Sequence, residues 1–222
     1  MTISAVILAA GRGDRMQTER NKILLPVLGQ ALICHAVSAF VQVPELVELI
    51  LVTHSDEVET VRQWVHPIAP DCVFVVGGAT RRDSSLAGVR AATGDFVLIH
   101  DGARPFPSPS LIRSVVAATQ RWSAVVPVVP STDLLYRVSA AGCIKQASDL
   151  KEEPLVRAQT PQGFRRDLIL HCLEAAPQQI RDDATAVLLA GESVLTVPGD
   201  PANIKITHTA DLALAEAIAA SR

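Results

Sequence analysis

The sequence predicts an α/β fold, a mostly parallel sheet with helices on both faces, carrying one protruding β-hairpin arm. Three observations predict it. Short apolar, β-branched runs alternate with longer segments of helical period, the pattern of a parallel sheet covered on both sides. The runs are continuously hydrophobic rather than alternating, so each strand is expected to be buried on both faces. The composition agrees: of 222 residues 49% are hydrophobic and only 4% aromatic, a balance suited to helices on a buried sheet rather than to a sandwich or an aromatic nucleic-acid platform.

The elements follow in order. Residues 3–9 form the first strand and run directly into a Gly-rich turn. A helix is expected near 31–41, a strand at 47–53, a helix at 57–65, a strand at 72–76, a helix at 84–92 and a strand at 95–100. The helix at 110–120 shows Leu111, Ile112, Val115 and Val116 on one side and begins after the stiff Pro105, Pro107 and Pro109. A strand at 124–129 comes next, then a break in the pattern. Between Pro130 and Pro154 two short strand-like pieces, 134–138 and 143–146, flank a Ser-Ala-Ala-Gly turn and read as a hairpin. Helices at 166–174 and 183–190, a strand at 194–197 and an Ala-rich helix at 210–219 close the chain. With no linker, repeat or low-complexity tract, residues 1–222 read as a single domain with 130–154 as its arm. A hairpin is marginal alone, so a second copy of the chain is its natural cover, and a homodimer is expected.

Composition also excludes classes. A charged fraction of 19% with 49% hydrophobic residues excludes charge-driven disorder, and a chain of this length can bury about 70% of its unfolded surface without staples. The net charge of −3 argues against phosphate-backbone binding, so no nucleic acid is expected and any anionic ligand needs a local cationic cluster. Cys34, Cys72, Cys143 and Cys172 are dispersed, without zinc spacing, and read as reduced thiols. The N-terminal apolar run is short and has no basic start, so neither a membrane span nor a signal peptide is expected and the protein reads as cytoplasmic.

The turn after the first strand, Ala9-Ala10-Gly11-Arg12-Gly13-Asp14-Arg15-Met16, lies where α/β proteins bind phosphates. Met16 breaks a dinucleotide fingerprint, and Lys22 after Asn21 breaks a Walker A loop. Arg12, Arg15, Arg20 and Lys22 stand against Asp14 and Glu19. This local excess of cations fits a triphosphate, although a solvated loop has the same composition.

LAAGRGDRM followed by NK and LLPVLGQALICHAV resembles the signature loop of sugar- and polyol-phosphate nucleotidyltransferases. GGATRRDSSLAGV at 77–89, HDGARPF at 100–106, and AQTPQGF at 158–164 with RDDA and NIKIT narrow the resemblance to the 2-C-methyl-D-erythritol 4-phosphate cytidylyltransferases of the non-mevalonate isoprenoid pathway, over essentially the whole chain. The resemblance implies a Rossmann-like sheet of the nucleotide-diphospho-sugar transferase type and a CTP-dependent transfer of CMP to methylerythritol phosphate with loss of pyrophosphate. Arg15, Lys22 and Lys205 become the catalytic cations. Ala9, Ala10, Gly11, Gly13, Gly78, Ser84, Asp101 and Gly102 become nucleotide contacts, with Ser84 equally able to cap a helix. Asp101, at a strand's carboxyl end, becomes the ligand of Mg²⁺, an ion that needs only one or two protein carboxylates beside phosphates. His100 beside it reads as packed. Arg104, Asp133, Lys151, Thr160 and Arg181 become acceptor contacts. Here the chain departs from the family: Asp133-Leu134 replaces a D-T pair, Lys151-Glu152 stands where an arginine is usual, and Arg181 replaces a threonine. Another polyol phosphate, such as ribitol 5-phosphate, or a silent nucleotide-binding protein are the competing readings.

Overall fold

The computed structural model describes residues 1–11, 21–147 and 154–222. Its strands are β1 (Ile3–Leu8), β2 (Pro26–Val27), β3 (Gln30–Ala31), β4 (Leu46–Thr53), β5 (Val73–Val76), β6 (Phe96–Asp101), β7 (Ala124–Pro130), β8 (Tyr136–Val138), β9 (Ile144–Ala147), β10 (Val156–Ala158), β11 (Gln162–Arg165) and β12 (Leu195–Pro198). Its helices are α1 (Leu32–Val41), α2 (Val58–Val65), α3 (Arg81–Ala91), α4 (Pro109–Trp122), α5 (Arg166–Ala175), α6 (Asp183–Leu189) and α7 (Asp211–Ala220). Each segment that the apolar periodicity predicts is present, with ends shifted by up to three residues.

Local chemistry sets those ends. Ser108 accepts a hydrogen bond from the Leu111 amide at 3.2 Å and Pro109 occupies the first turn, so α4 starts where a cap and a preset φ coincide. Thr80 and Asp83 form a reciprocal capping box at the start of α3. That helix therefore begins at Arg81 rather than at residue 84, and Ser84 lies inside it.

The main sheet runs β5-β4-β1-β6-β11/β10-β7-β12. The pairs β1 with β4, β1 with β6, β4 with β5 and β7 with β12 are parallel. Helices α1, α2 and α4 bury their apolar sides on one face around Phe40, Val61 and Ile112, and α3, α5 and α6 on the other around Val89, Ile169 and Val187. Helix α3 packs so closely that a Cβ on Gly88 would overlap the Val6 side chain. Truncating a fully buried anchor such as Phe40 to alanine costs about 3–5 kcal/mol.

Two expectations are corrected. Strands β5 and β12 are the sheet edges, and Val73, Val76 and Leu195 are exposed; an edge strand lacks a second neighbour and tolerates open faces. The segment 156–165, read only as a motif, supplies two strands antiparallel to β7 and β6. They act as one interrupted strand: Ala158 faces Val128 and Gly163 faces Val125, so five steps on this strand span three on β7. The two surplus residues are taken up in the bulge Gln159-Thr160-Pro161, which turns polar side chains toward neighbouring loops.

The predicted hairpin is present as β8 and β9, paired from Tyr136↔Ala147 to Val138↔Ile144 around a turn with Gly142 at φ 82°. All residues of both strands are exposed. Residues 148–153 of the expected 130–154 arm lie outside the described residues.

Candidate active site

After β1 the chain moves to β4 and β5 on one side, then returns to β6 on the other. Leu8 and Asp101 are register partners at this reversal, which is where open α/β sheets bind ligands. A cavity of about 530 Å³ opens there, lined by Leu8–Gly11 after β1, Lys22 and Ile23, His54 after β4, Gly78–Arg81 and Ser84 after β5, Asp101 and Ala103 after β6, and Lys205. Four strand ends thus converge on one crevice.

The floor is a charge network. Asp101 is 14% exposed; its Oδ2 receives Lys205 Nζ at 2.6 Å and its Oδ1 receives Arg81 Nη2 at 3.1 Å. The same Arg81 nitrogen donates to Oδ2 of the fully buried Asp183 at 2.7 Å. Burial alone would push the Asp101 carboxyl up, but the charges of Arg81 and Lys205 outweigh it and hold the group far below the usual carboxylate range. Burial likewise opposes the charge on Arg81, which Asp183 and Asp101 restore.

Two side chains and one backbone carbonyl of the bulged strand hold this floor in place. Gln159 receives the Asp200 amide at 3.0 Å and donates to the Asp200 carbonyl at 2.8 Å, pinning the loop before Lys205. Asn203 donates to the Thr160 carbonyl at 2.7 Å, and the Ile206 amide to the Ala103 carbonyl at 2.8 Å, so Lys205 is tethered on both sides. Gln162 donates to Asp182 at 2.9 Å and receives the Ala184 amide at 3.1 Å, fixing the start of α6 and with it Asp183.

The expected nucleotide residues Ala9, Ala10, Gly11, Gly78, Ser84 and Asp101, with Lys22 and Lys205, line one cavity. Gly102 is buried behind it; its amide donates to the Leu8 carbonyl at 2.9 Å, so it joins β1 to β6. A Cβ on Gly78 would overlap Asp83, and only glycine lets the loop pass the start of α3. Ser84 does not cap that helix: Thr80 does, and the Ser84 hydroxyl donates to the Thr80 carbonyl at 3.0 Å. Gly13 and Arg15 lie outside the described residues. Arg81 was not singled out by the sequence; its place as the first residue of a helix facing the crevice was the available signal.

A second cavity of about 300 Å³ shares Lys205 and contains Arg104, Arg157, Gln159, Asn203 and Asp211. Arg104 donates to the carbonyls of Asn203 at 2.8 Å and Ala158 at 3.1 Å. Burial lowers its pKa, and the attraction of Asp101 is set against the like charge of Arg157, so this cation is under-compensated. Of the other acceptor residues, Thr160 is 3% exposed with its hydroxyl turned toward Asp101 and His100. Asp133 is exposed at the base of the hairpin, Arg181 is exposed before α6, and Lys151 lies outside the described residues. The structure brings neither Asp133 nor Arg181 to the lining of the two cavities among the described residues.

Among the described residues, Asp101 is the single carboxylate on the lining of the larger cavity, and no cluster of three His, Cys, Asp or Glu side chains occurs. Such a donor set fits Mg²⁺, whose remaining ligands are phosphate and water oxygens. No helix among the described residues is long and apolar enough to cross a membrane.

The family model described as "IspD: 2-C-methyl-D-erythritol 4-phosphate cytidylyltransferase" matches residues 3–221. The chain belongs to the 2-C-methyl-D-erythritol 4-phosphate cytidylyltransferase family. It is similar to the cytidylyltransferase of that name from Saccharopolyspora erythraea, 38% identical over 226 residues and covering 99% of this chain and 100% of the relative. It is also 38% identical over 221 residues to the bifunctional enzyme IspD/IspF of Paracoccus denitrificans, covering 98% of this chain and 56% of the relative. The chain therefore spans just over half the length of that bifunctional enzyme. Among solved structures, 4-diphosphocytidyl-2C-methyl-D-erythritol synthase from Anaerococcus prevotii superposes with a TM-score of 0.87 at 28% identity, covering 100% of this chain and 96% of that one. The cytidylyltransferase from Thermus thermophilus gives 0.79 at 32% identity, covering 99% and 100%. A cytidylyltransferase family member carrying the paired Asp101 and Lys205 on the crevice has the equipment of an enzyme.

Proposed function

We propose that this chain transfers CMP from CTP to 2-C-methyl-D-erythritol 4-phosphate, giving the CDP-methylerythritol and pyrophosphate for isoprenoid precursor synthesis. The observation that carries the reading is Lys205 Nζ, 2.6 Å from Asp101 and on the wall common to both cavities. An acceptor phosphate in the smaller cavity would meet the α-phosphate in the larger one at this ammonium. The attacking phosphate oxygen is already nucleophilic, so the protein chiefly aligns two anions and neutralises the charge that builds between them. Lys22 and Lys205 serve that role from the lining of the crevice, Arg15 is assigned with them, and the Gly11–Gly13 amides cradle the outer phosphates. Gly78 and Ser84 take the pyrimidine side.

Asp101 would hold Mg²⁺, which when bound neutralises the triphosphate and polarises its α-phosphate. Arg104 is the acceptor residue best supported, because its charge is under-compensated beside the second cavity. The hairpin is assigned to a homodimer: Leu134, Leu135, Tyr136, Val138 and Ile144 are exposed apolar residues on one short element, and a second copy would cover them. Four free cysteines accord with a cytoplasmic location.

Pyrophosphate release tests the reading. CTP with methylerythritol phosphate and Mg²⁺ should give turnover that chelation with EDTA abolishes. Turnover with ribitol 5-phosphate instead would transfer the reading to another polyol phosphate, and CTP binding without pyrophosphate release from any acceptor would end the catalytic assignment. Light scattering of the purified protein tests the dimer.

A further inference from the structure

His100 is fully buried at the end of β6, edge-on to the Phe40 ring at 5.0 Å between centroids. Its Nε2 lies 2.9 Å from the carbonyl oxygen of Arg104. A carbonyl has no proton to give, so Nε2 carries the hydrogen. The opposite tautomer would press two lone pairs together. With one ring proton placed, Nδ1 offers a lone pair, and the atom 3.0 Å from it is Thr160 Oγ1, which must donate. The hydroxyl oxygen in turn accepts the Asp101 amide at 3.0 Å. If the ring carried two protons, this oxygen would face two donors and its own hydrogen would have no acceptor among the described residues.

All polarities are thereby fixed: the Asp101 amide donates to Thr160, the Thr160 hydroxyl to His100, and His100 to the Arg104 carbonyl. The turn from Asp101 to Arg104 is held at its first N–H and its last C=O, while its own Arg104 amide to Asp101 carbonyl bond of 2.9 Å closes it from inside. The two side chains displayed by this turn are the carboxylate beneath the larger cavity and the guanidinium beside the smaller one.

We propose that Thr160 and His100 form a directional hydrogen-bond relay that aligns Asp101 with Arg104, and that both are positioning residues for the transfer step. The proposal rests on the roles assigned above to Asp101 and Arg104. Both relay residues are buried, and neither is on the lining of the two cavities. Thr160 acts from the bulge of the β10–β11 strand and couples that strand to the site through one hydroxyl. The segment AQTPQGF is then a fastening element, with Gln159, Thr160 and Gln162 each securing a different loop.

The experiment has two arms. In the first, ¹⁵N spectra of the histidine rings in the full chain read which nitrogen of His100 is protonated, the ring being assigned through its contact with Phe40. The relay requires a neutral Nε2–H ring whose Nδ1 signal moves in Thr160→Val and returns in Thr160→Ser. A proton on Nδ1 in the wild type overturns the proposal whatever the enzyme does. The second arm uses turnover. Thr160→Val should lower kcat about 10- to 100-fold, the range for loss of a group that orients a functional ligand, and Thr160→Ser should recover most of it. If Val and Ser give the same kcat, the hydroxyl does not position the turn. Wild-type protein without pyrophosphate release refutes the proposed function, yet leaves the relay readable in the ring spectra.

Discussion

The crevice and the hairpin are built on opposite terms. At the crevice, four strand ends, a capped helix and a bulged strand each supply one anchor, and Asp101, Arg81, Asp183 and Lys205 are mutually paired. On the hairpin, two strands of three and four residues pair only with each other among the described residues, and every one of their side chains is exposed. The over-determined region fixes charges to within hydrogen-bond distance, as bond rearrangement at phosphorus requires. The hairpin fixes little within its own chain. The departure at Leu134 falls on this looser side, where a change of side chain disturbs no buried network, whereas Arg181 is exposed just before α6.

The comparison breaks most sharply if the crevice cations are dispensable. Lys22→Ala and Lys205→Ala should each lower turnover about 10²- to 10³-fold in steady-state pyrophosphate release, without loss of the folded state by circular dichroism; wild-type rates would remove the crevice from the chemistry. Next, Asp183→Asn leaves Arg81 buried with half its compensation. Removing one partner of a buried pair costs about 3–5 kcal/mol, to be read as a lower urea midpoint, whereas a surface-like loss below about 1 kcal/mol would mean that the pair is not buried in solution.

The third test is acidity. Burial pushes the His100 pKa down to about 4, against about 6.5 in an unfolded chain. The unfolded state binds the extra proton first, so this contribution to stability is complete above pH 6.5 and is lost as pH falls toward 4. The shift corresponds to about 3 kcal/mol. Urea unfolding of the wild type across that range should show the slope, and His100→Asn should remove it; an unchanged slope would place His100 in contact with water. The smallest effect belongs to the hairpin. Tyr136→Asp should leave the CTP affinity of the crevice and the unfolding midpoint within about 0.5 kcal/mol, while shifting self-association in light scattering. A large drop in stability instead would show that the hairpin is anchored to its own body.

Legibility in the sequence divides along the same line as burial chemistry. The parallel strands and their helices were readable because apolar residues recur at the periods that packing demands, and Asp101 was readable because it ends such a strand. Strands β10 and β11 were not, because Gln159, Thr160, Pro161 and Gln162 interrupt the segment with polar or ring-locked residues that leave no apolar strand period to read. Arg81 escaped for a related reason: in TRRDSS a helix cap and an ionic anchor have the same local appearance, and only the approach of Asp183 from a distant helix separates them. Ser84 had two readings in the sequence, and the capping box at Thr80 leaves it free of one.

Lys205 forms part of the wall of both cavities and is bonded to the acid of only one of them. An anion entering either chamber competes with Asp101 for the same ammonium and changes the field felt in the other. If nucleotide fills one chamber and acceptor the other, as proposed, their occupancies are thermodynamically linked, and the factor by which nucleotide alters the affinity for acceptor equals the factor by which acceptor alters the affinity for nucleotide. On the proposed occupancy, a single side chain would make the two substrates heterotropic effectors of one another.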